Sequence, residues 1–338
     1  MNWQKQIHHM QIDITSYCNA RCGACARNIA GGKTQPWLQL SHFDKHIWYR
    51  LFTEDTIDAE IFQLKLNGNW GDAGMHPDLP GMVSIFGKCN PKASVQICTN
   101  GGTHNKEWWS SLGNALSRNT KYHAVDFAID GLEDTHSIYR RSTDYNKILE
   151  NAISFAKAGG NSRWIMTLFD YNIHQIDEAI KVARKSNFTS IKFRYSHTKN
   201  ALVETPTEKY RLHTNKADNV PLPKTVYFND SIMFSKNSTE HTTDSKCPWY
   251  RDERIQIGPW GNVWPCCHVA DAMEGIAELD QREQLLKEIP EQDWNNLKKH
   301  SLNDILSHKW FNSTLNSAVE HGKYAVCINN CGITADNS

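Results

Sequence analysis

Six short apolar runs alternate with amphipathic stretches between residues 10 and 196, and this alternation constrains the fold more than any other feature. Each run has the length of a β-strand, and apolar residues recur at helical spacing in the stretches between them. The predicted strands are 10–15, 61–66, 95–99, 125–130, 164–168 and 191–195. Six β-then-α units predict a parallel sheet with right-handed crossovers. Periodicity does not decide whether such a sheet closes into a barrel.

Local signals indicate where helices begin and end between these strands. Ser41 and Asp44 resemble a capping box in front of the first helix. Pro77 predicts the start of the second helix, and Gly159–Gly160 predict the end of the fourth. Because functional sites of parallel α/β sheets form at the carboxyl ends of strands, the loops after the strands are the places to look.

The sequence changes character after residue 196. Residues 197–246 are rich in Thr, Lys, Asn and Pro and have few periodic apolar positions. Residues 254–269 predict a hairpin, and helical spacing returns around Leu302. We therefore predict three parts: a core domain (1–200), a connecting or covering segment (201–246) and a small C-terminal domain (247–338).

Charge and hydropathy exclude several classes of function. The 338 residues include 37 Lys and Arg and 37 Asp and Glu, which argues against a nucleic-acid binder because such proteins carry a basic excess. No apolar stretch approaches the ~18 residues of a membrane span. The N-terminus lacks the apolar centre of a secretory signal. These features predict a cytoplasmic protein without a nucleic-acid or membrane partner.

The cysteines are clustered along the chain rather than scattered. There are ten, about 3% of the residues, which is too few for a disulfide scaffold. In a reducing compartment, clustered cysteines more often ligate metal or act chemically than form disulfides. They are Cys18, Cys22, Cys25, Cys89, Cys98, Cys247, Cys266, Cys267, Cys327 and Cys331.

The strongest motif is Cys18-N-A-R-Cys22-G-A-Cys25, directly after the first strand. Three thiolates at this spacing can converge on one metal centre, and three ligands leave one iron of a four-iron cluster open. A structural zinc site is the alternative, but it would need a fourth protein ligand and none is adjacent. The motif, at this place in a β/α chain, resembles that of the radical S-adenosylmethionine (SAM) superfamily.

This resemblance implies a fold, two cofactors and a partner. The fold would be α/β, with a partial (β/α)6 barrel followed by a small α+β domain. A [4Fe-4S] cluster on the three cysteines would bind SAM, and a flavodoxin- or ferredoxin-type protein would supply one electron. SAM would then yield a 5′-deoxyadenosyl radical that abstracts a substrate hydrogen. One departure from the superfamily is Ala24, where an aromatic residue usually flanks the adenine.

The resemblance also suggests SAM contacts at the ends of three further strands. Gly71 and Asp72 stand where relatives hold the amino group of SAM, and Asn100 follows the third strand. Asp130 stands where relatives approach the ribose, and Arg140 suits a carboxylate through its planar fork. The structural alternatives are a glycine-rich turn with a solvated Asp72, and helix-cap or surface-pair roles for Asp130 and Arg140.

A second cysteine group resembles the SPASM and twitch extensions of radical SAM enzymes. Cys247 is followed by thirteen residues, Gly261, four residues and Cys266. Cys327 and Cys331 would complete four thiolates for one auxiliary [4Fe-4S] cluster, the twitch arrangement. A zinc site is the alternative, because ligand number alone does not distinguish the two.

Three cysteines lie outside these two predicted ligand sets. The glycine spacing favours Cys266 over its neighbour Cys267 as a ligand, but either could bind. Cys98, near the end of the third strand, and Cys267 are candidate donors of a hydrogen atom to a substrate radical. A small buried core residue is the structural alternative for each, as it is for Cys89.

The substrate carries no readable signature. SPASM-type extensions commonly accompany peptide maturation, so we expect a peptide or protein substrate. The alternatives are a radical dehydrogenase acting on a carbohydrate-like alcohol and a non-catalytic metal-binding module. Arg194 on the sixth strand and Asn172 after the fifth are either cavity residues or parts of the scaffold.

Overall fold

The computed structural model describes residue 3 and residues 7–55, 60–219, 221, 225–228, 247–275, 279–289 and 293–332. The strands are β1 (His9–Ile12), β2 (Gln63–Leu66), β3 (Ser94–Thr99), β4 (Tyr122–Ala128), β5 (Ser162–Leu168), β6 (Ser190–Tyr195), β7 (Ala201–Glu204), β8 (Lys209–Leu212), β9 (Val226–Tyr227), β10 (Arg254–Ile257) and β11 (Val263–Trp264). Nine of these form one sheet in the order β11-β10-β1-β2-β3-β4-β5-β6-β9. Strands β1 to β6 are parallel and adjacent in chain order. The predicted (β/α)6 order is confirmed.

Helices return the chain between the strands. They are α1 (Lys45–Thr53), α2 (Leu79–Cys89), α3 (Lys106–Asn119), α4 (His136–Tyr139), α5 (Tyr145–Lys157), α6 (Ile176–Lys185), α7 (Pro248–Arg251), α8 (Cys267–Glu274), α9 (Leu279–Leu286), α10 (Leu302–Ser307), α11 (Leu315–Glu320) and α12 (Ala325–Cys331). Among the described residues, no helix is long and apolar enough to cross a membrane.

Two helix starts differ from the sequence prediction. The N-cap of α1 is Asp44, whose side chain accepts a hydrogen bond from the backbone N–H of His46 at 2.7 Å. Ser41 lies instead in an extended segment, where its N–H donates to the hydroxyl of Ser16 at 2.7 Å. The capping-box prediction is therefore wrong by three residues. Helix α2 starts at Leu79 and carries its proline, Pro80, in the first turn, so Pro77 precedes the helix.

The core lies between the sheet and the helices outside it. The apolar face of each helix packs against alternate residues of the strands, because an amphipathic helix buries its one apolar stripe against the core. Trp48, Trp109 and Trp164 are fully buried there, and their indole N–H groups donate to backbone carbonyls. The opposite face of the sheet carries many polar residues. Since residues of β1 to β6, β9 and β10 line one cavity, the sheet curves around it as a partial barrel.

The segment predicted as connecting or covering contains a second sheet. Strands β7 and β8 form an antiparallel hairpin, with Ala201 opposite Leu212. The hairpin packs on the cysteine loop: a Cβ at Gly23 would overlap the side chain of Val203, and the N–H of Glu204 donates to the carbonyl of Ala30 at 2.9 Å. Residues 220, 222–224 and 229–246 of this segment lie outside the described residues.

The C-terminal region continues the main sheet. Strand β10 pairs in parallel with β1, so that Met10 lies opposite Ile255. Strands β10 and β11 form the predicted hairpin. The sheet therefore crosses the predicted boundary at residue 247 and joins the C-terminal helices to the barrel.

Candidate functional site

The three cysteines of the first motif lie on the loop that follows β1. Cys22 is buried, whereas Cys18 and Cys25 are partly exposed. The N–H of Cys25 donates to the carbonyl of Cys22 at 3.2 Å, which makes a tight turn between them. All three line the cavity inside the sheet, which has a volume of about 1230 Å³. The loop therefore presents three sulfurs at the carboxyl end of β1, where a parallel sheet forms its sites.

The environment of the sulfurs suits a cationic metal centre. Burial raises the pKa of the Cys22 thiol to about 11 and that of Cys18 further. Without a bound cation these thiols are protonated, whereas a metal would bind them as thiolates. Two polar groups already point at sulfur: Arg140 Nη1 lies 3.7 Å from Cys22 Sγ, and Asn100 Nδ2 lies 3.7 Å from Cys18 Sγ. Such donors stabilise charge on ligating sulfur, so these residues fit the predicted cluster.

Arg140 lines the cavity and is held from behind by Asp130. Asp130 is fully buried, and its Oδ2 accepts from Arg140 Nε at 2.5 Å. Its other carboxylate oxygen accepts from the backbone N–H of Thr167. Its backbone carbonyl accepts from the side chain of Asn172 at 3.1 Å. The described structure therefore places Asp130 behind Arg140, outside the set of cavity-lining residues, and Asn172 among the scaffold residues that hold it.

Asp72 joins the loops after β2 and β3. Its carboxylate accepts from Thr99 Oγ1 at 2.7 Å and from the N–H groups of Asn100 and Gly74 at 2.6 and 2.9 Å. Burial raises the pKa of Asp72, although these three hydrogen bonds oppose the shift. Gly71, Asp72 and Asn100 line the same cavity as the cysteines. A carboxylate has about four acceptor positions, so Asp72 keeps capacity for a ligand amine.

The two candidate hydrogen-atom donors occupy different places. Cys98 lines the cavity from β3, with its sulfur 3.9 Å from Asp126 Oδ2. Burial raises the pKa of its thiol to about 12. Cys267 begins α8 and, in the described structure, does not line that cavity. The structure therefore brings Cys98, but not Cys267, to the chamber that contains the first motif.

The cysteines of the second group come together in the C-terminal region. Cys266 caps α8, with its sulfur 3.4 Å from the N–H of Val269, and Cys247 precedes α7. Cys327 and Cys331 are four residues apart on α12 and thus share one helix face. Burial raises the pKa of all four thiols, and at Cys266, Cys327 and Cys331 the nearby Cys247 raises it further. The four sulfurs are therefore close enough to interact electrostatically.

The adjacent cysteines at the start of α8 have different neighbours. Cys266 is 9% exposed and interacts electrostatically with Cys247 and Cys327. Burial raises the pKa of Cys267 to about 12, and the carboxyl groups of Asp271 and Asp13 raise it too. Cys267 therefore interacts with two carboxyl groups and with Cys331, whereas Cys266 interacts with Cys247 and Cys327.

No group of three or more His, Cys, Asp or Glu side chains in the described part of the chain is arranged to hold a single metal ion. A four-iron cluster separates its cysteine sulfurs more widely than one ion does, because each sulfur binds a different iron. The donor sets of both groups are all-thiol, which is the usual ligation of iron–sulfur clusters.

Several cavity residues were not singled out from the sequence. Lys65, Asp126, Arg163 and Lys192 line the cavity from the middle of strands β2, β4, β5 and β6. Polar residues at alternating positions in otherwise apolar strands were the available signal, since successive side chains point to opposite faces of a sheet. Arg194, one of the two open candidates, also lines the cavity.

Comparison with known proteins identifies the fold. A scan against protein-family models finds no match. The structure is similar to SuiB of Streptococcus suis, with 15% sequence identity, a TM-score of 0.55, and coverage of 96% of this chain and 71% of SuiB. It is also similar to anSMEcpe with bound S-adenosylmethionine, with 14% identity, a TM-score of 0.54, and coverage of 98% and 92%. Both are radical SAM enzymes, and this chain has their fold.

Two of the similar structures contain peptides. SuiB has been solved bound to its precursor peptide SuiA, and that structure matches with a TM-score of 0.55 at 15% identity. anSMEcpe has been solved with S-adenosylmethionine and the Cp18Cys peptide, with a TM-score of 0.52 at 13% identity.

Proposed function

We propose that this protein is a radical SAM enzyme that modifies a peptide or a protein. The observation that carries the proposal is the convergence of three cysteine sulfurs on one cavity, with Arg140 and Asn100 each 3.7 Å from a sulfur. When bound, the cluster would supply an open iron and one electron for cleavage of SAM, and the resulting radical would abstract a substrate hydrogen. The fold shared with SuiB and anSMEcpe supports the class of enzyme.

Different residues of the chain would bind the cluster and the different groups of SAM. Cys18, Cys22 and Cys25 would hold the cluster, and Asp72 would accept hydrogen bonds from the amino group of SAM. Gly71 and Asn100 would form the wall beside it. Arg140 would meet the carboxylate, held in place by its bond to Asp130. In this geometry Asp130 acts on SAM through Arg140.

Tyr139 compensates for the missing aromatic residue at position 24. Its ring lines the cavity, lies against Phe169 at 4.9 Å between centroids and packs under the Arg140 guanidinium at 5.1 Å. Ala24 leaves room at the same wall. We assign the flat face of Tyr139 to the adenine of SAM.

The C-terminal cysteines would hold one auxiliary [4Fe-4S] cluster. The proposed ligands are Cys247, Cys266, Cys327 and Cys331. Cys266 interacts with two of the other three and has the favoured glycine spacing, whereas Cys267 interacts with Cys331 alone of these and with Asp271 and Asp13. A flavodoxin- or ferredoxin-type protein would deliver the electron to the first cluster. The pairing of β10 with β1 would keep the two clusters in a fixed relative position.

The peptide substrate is supported by the peptide-bound structures of SuiB and anSMEcpe. The cavity of about 1230 Å³ would contain the cluster and SAM as well as the part of the peptide that reacts.

The test is formation of 5′-deoxyadenosine by anaerobically reconstituted protein with SAM and dithionite. We expect product from the wild-type protein and from Cys89→Ala, whose exposed thiol lies outside both groups. The Cys18→Ala/Cys22→Ala/Cys25→Ala variant should form none. Product from the triple variant would refute the cluster assignment, and no product from the wild type would refute the proposed function.

A further inference from the structure

The charge of the barrel interior differs from that of the whole chain. The chain has 37 basic and 37 acidic residues, but among the described residues nine Lys and Arg side chains and three Asp side chains line the cavity. A cavity lined by one sign of charge concentrates ligands of the opposite sign, because low-dielectric walls focus the field. The interior therefore favours an anion.

The three acidic residues of the cavity are already engaged. Asp126 pairs with Arg163 at 2.6 Å, and Asp252 pairs with Arg254 at 2.8 Å. Asp72 accepts three hydrogen bonds from neighbouring loops. None of them neutralises the cations on β2 and β6.

Besides Arg27, which donates to the backbone carbonyls of Trp70 and Ser16, three cations in the cavity have no ion pair with a described carboxylate. They are Lys65 on β2 and Lys192 and Arg194 on β6. Lys192 lies opposite Ile165 and Arg194 opposite Thr167, so these two point to one face of the sheet about two residues, or ~7 Å, apart. Lys65 reaches the same chamber from the other side of β3 and β4. The electrostatic stabilisation of ionised side chains in a cavity is greatest when a ligand of opposite charge replaces the water around them.

Cys98 lines the same cavity and lies within electrostatic range of two of these cations, Lys65 and Arg194. Burial has the largest effect on its thiol and raises the pKa, and Asp126 adds to the rise; Lys65, Arg194 and Arg163 lower it. Charges from three different strands therefore act on one sulfur. Cys98 directly precedes Thr99 and Asn100 at the end of β3 and lines the same cavity as the residues of the proposed SAM site.

We propose that Lys65, Lys192 and Arg194 form a subsite that binds an anionic group of the substrate, a carboxylate or a phosphate, beside Cys98. This inference rests on the proposed function for the identity of the ligand as a substrate. For a peptide substrate, the subsite selects an acidic or phosphorylated side chain. The planar fork of Arg194 suits the paired oxygens of either group, and the two lysines add charge without fixing geometry.

Calorimetric titration of the reconstituted protein with glutarate and with inorganic phosphate tests the subsite. Chloride keeps the ionic strength constant, so that general screening does not change. We expect saturable binding of one anion or both, weakened by about tenfold in Lys65→Gln and in Arg194→Gln. Lys298→Gln, which removes an exposed lysine outside the cavity, is the matched control and should bind as the wild type does.

Glutarate and phosphate distinguish a substrate that carries a carboxylate from one that carries a phosphate. Glutarate binding indicates a carboxylate-bearing substrate, and binding of phosphate alone indicates a phosphorylated one. Absence of saturable binding, or binding that survives in the Lys65→Gln/Arg194→Gln double variant, overturns the subsite. The outcome is distinct from that of the proposed function: 5′-deoxyadenosine without anion binding refutes the subsite alone, and anion binding without 5′-deoxyadenosine refutes the enzyme alone.

A second measurement locates the anion. Iodoacetate is negatively charged and iodoacetamide is neutral, and both alkylate thiols with loss of iodide. We expect the ratio of the iodoacetate rate to the iodoacetamide rate to be higher at Cys98 than at the exposed Cys89, as measured by mass spectrometry of the labelled peptides. The excess should fall in Arg194→Gln. Equal ratios at the two cysteines would contradict the subsite.

Discussion

Arg140 joins the fully buried carboxylate of Asp130 to the cavity: Nε donates to Asp130 at 2.5 Å, while Nη1 lies 3.7 Å from the sulfur of Cys22. The pair fixes the guanidinium at the mouth of the proposed SAM site. Removing one partner of a buried ion pair leaves an uncompensated charge, which is far more costly than removing both.

Arg140→Met should therefore destabilise the protein by about 3 kcal/mol or more. The free energy of unfolding from denaturant titration measures this. The double variant Arg140→Met/Asp130→Asn should recover a large part of the loss, because no charge is then left unpaired. Equal stability of the single and double variants would show that the two side chains are not coupled.

The loop after β2 has no room for a side chain at Gly71. A Cβ there would overlap the carbonyl oxygen of Thr15 and lie 2.7 Å from that of Tyr17. Gly71→Ala should cost about 1–3 kcal/mol and weaken SAM binding, because the loop that carries Asp72 must shift. Gly81 is the control: apart from its chain neighbours and the adjacent backbone of its own helix, no atom lies within 4 Å of its Cβ position, and α2 should gain about 0.5–1 kcal/mol from Gly81→Ala. A Gly71→Ala variant as stable as the wild type would contradict the close approach.

Because of Glu274, we expect the free energy of unfolding to fall as the pH rises. Its carboxyl group accepts from the indoles of Trp70 and Trp264 at 3.0 and 2.9 Å, and burial raises its pKa to about 8. The unfolded chain loses this proton near pH 4.5, whereas the folded protein keeps it. The stability that this group contributes is therefore complete below about pH 4.5 and is lost as the pH rises to about 8, by at most ~1.4 kcal/mol per unit.

Glu274→Gln removes the titration. Its amide oxygen accepts from one of the two indoles, which bond to different carboxylate oxygens, so the variant should be less stable at every pH and the slope with pH is the readout. Its free energy of unfolding should vary less between pH 5 and pH 8 than that of the wild type. Identical slopes in the two proteins would assign the pH dependence to other groups.

Cys327→Ala/Cys331→Ala tests the auxiliary cluster. We expect the reconstituted protein to lose about four irons and part of its stability, because ligand binding contributes to folding. The Cys89→Ala protein should keep the wild-type iron content. Unchanged iron in the double variant would refute an auxiliary cluster on α12.

Much of the fold was predictable because its signals are local. The alternation of apolar runs marks β1 to β6, and the spacing of Cys18, Cys22 and Cys25 falls within one loop. The pairing of β10 with β1 was not predictable, since it joins residues about 245 positions apart through a register that no local pattern encodes. The β7–β8 hairpin was missed although its strands alternate in burial, because the surrounding Thr, Lys and Pro suggested a connecting segment.

The site, too, was predictable only where its signals are local in the sequence. Spacing indicated the cysteines, and the resemblance to radical SAM enzymes indicated Asp72 and Arg140. The bond of Asp130 to Arg140, in contrast, depends on how α4 returns over β4 and β5. The convergence of Lys65 and Arg194 depends on the curvature of the sheet, which sequence periodicity does not report.

The central claim is that this chain holds two iron–sulfur clusters and cleaves SAM. The most direct measurement is iron and sulfide analysis of the anaerobically reconstituted protein, with 5′-deoxyadenosine measured on the same sample. The account predicts about eight irons, about eight sulfides and 5′-deoxyadenosine. Zinc without iron or sulfide, together with no 5′-deoxyadenosine, would contradict it.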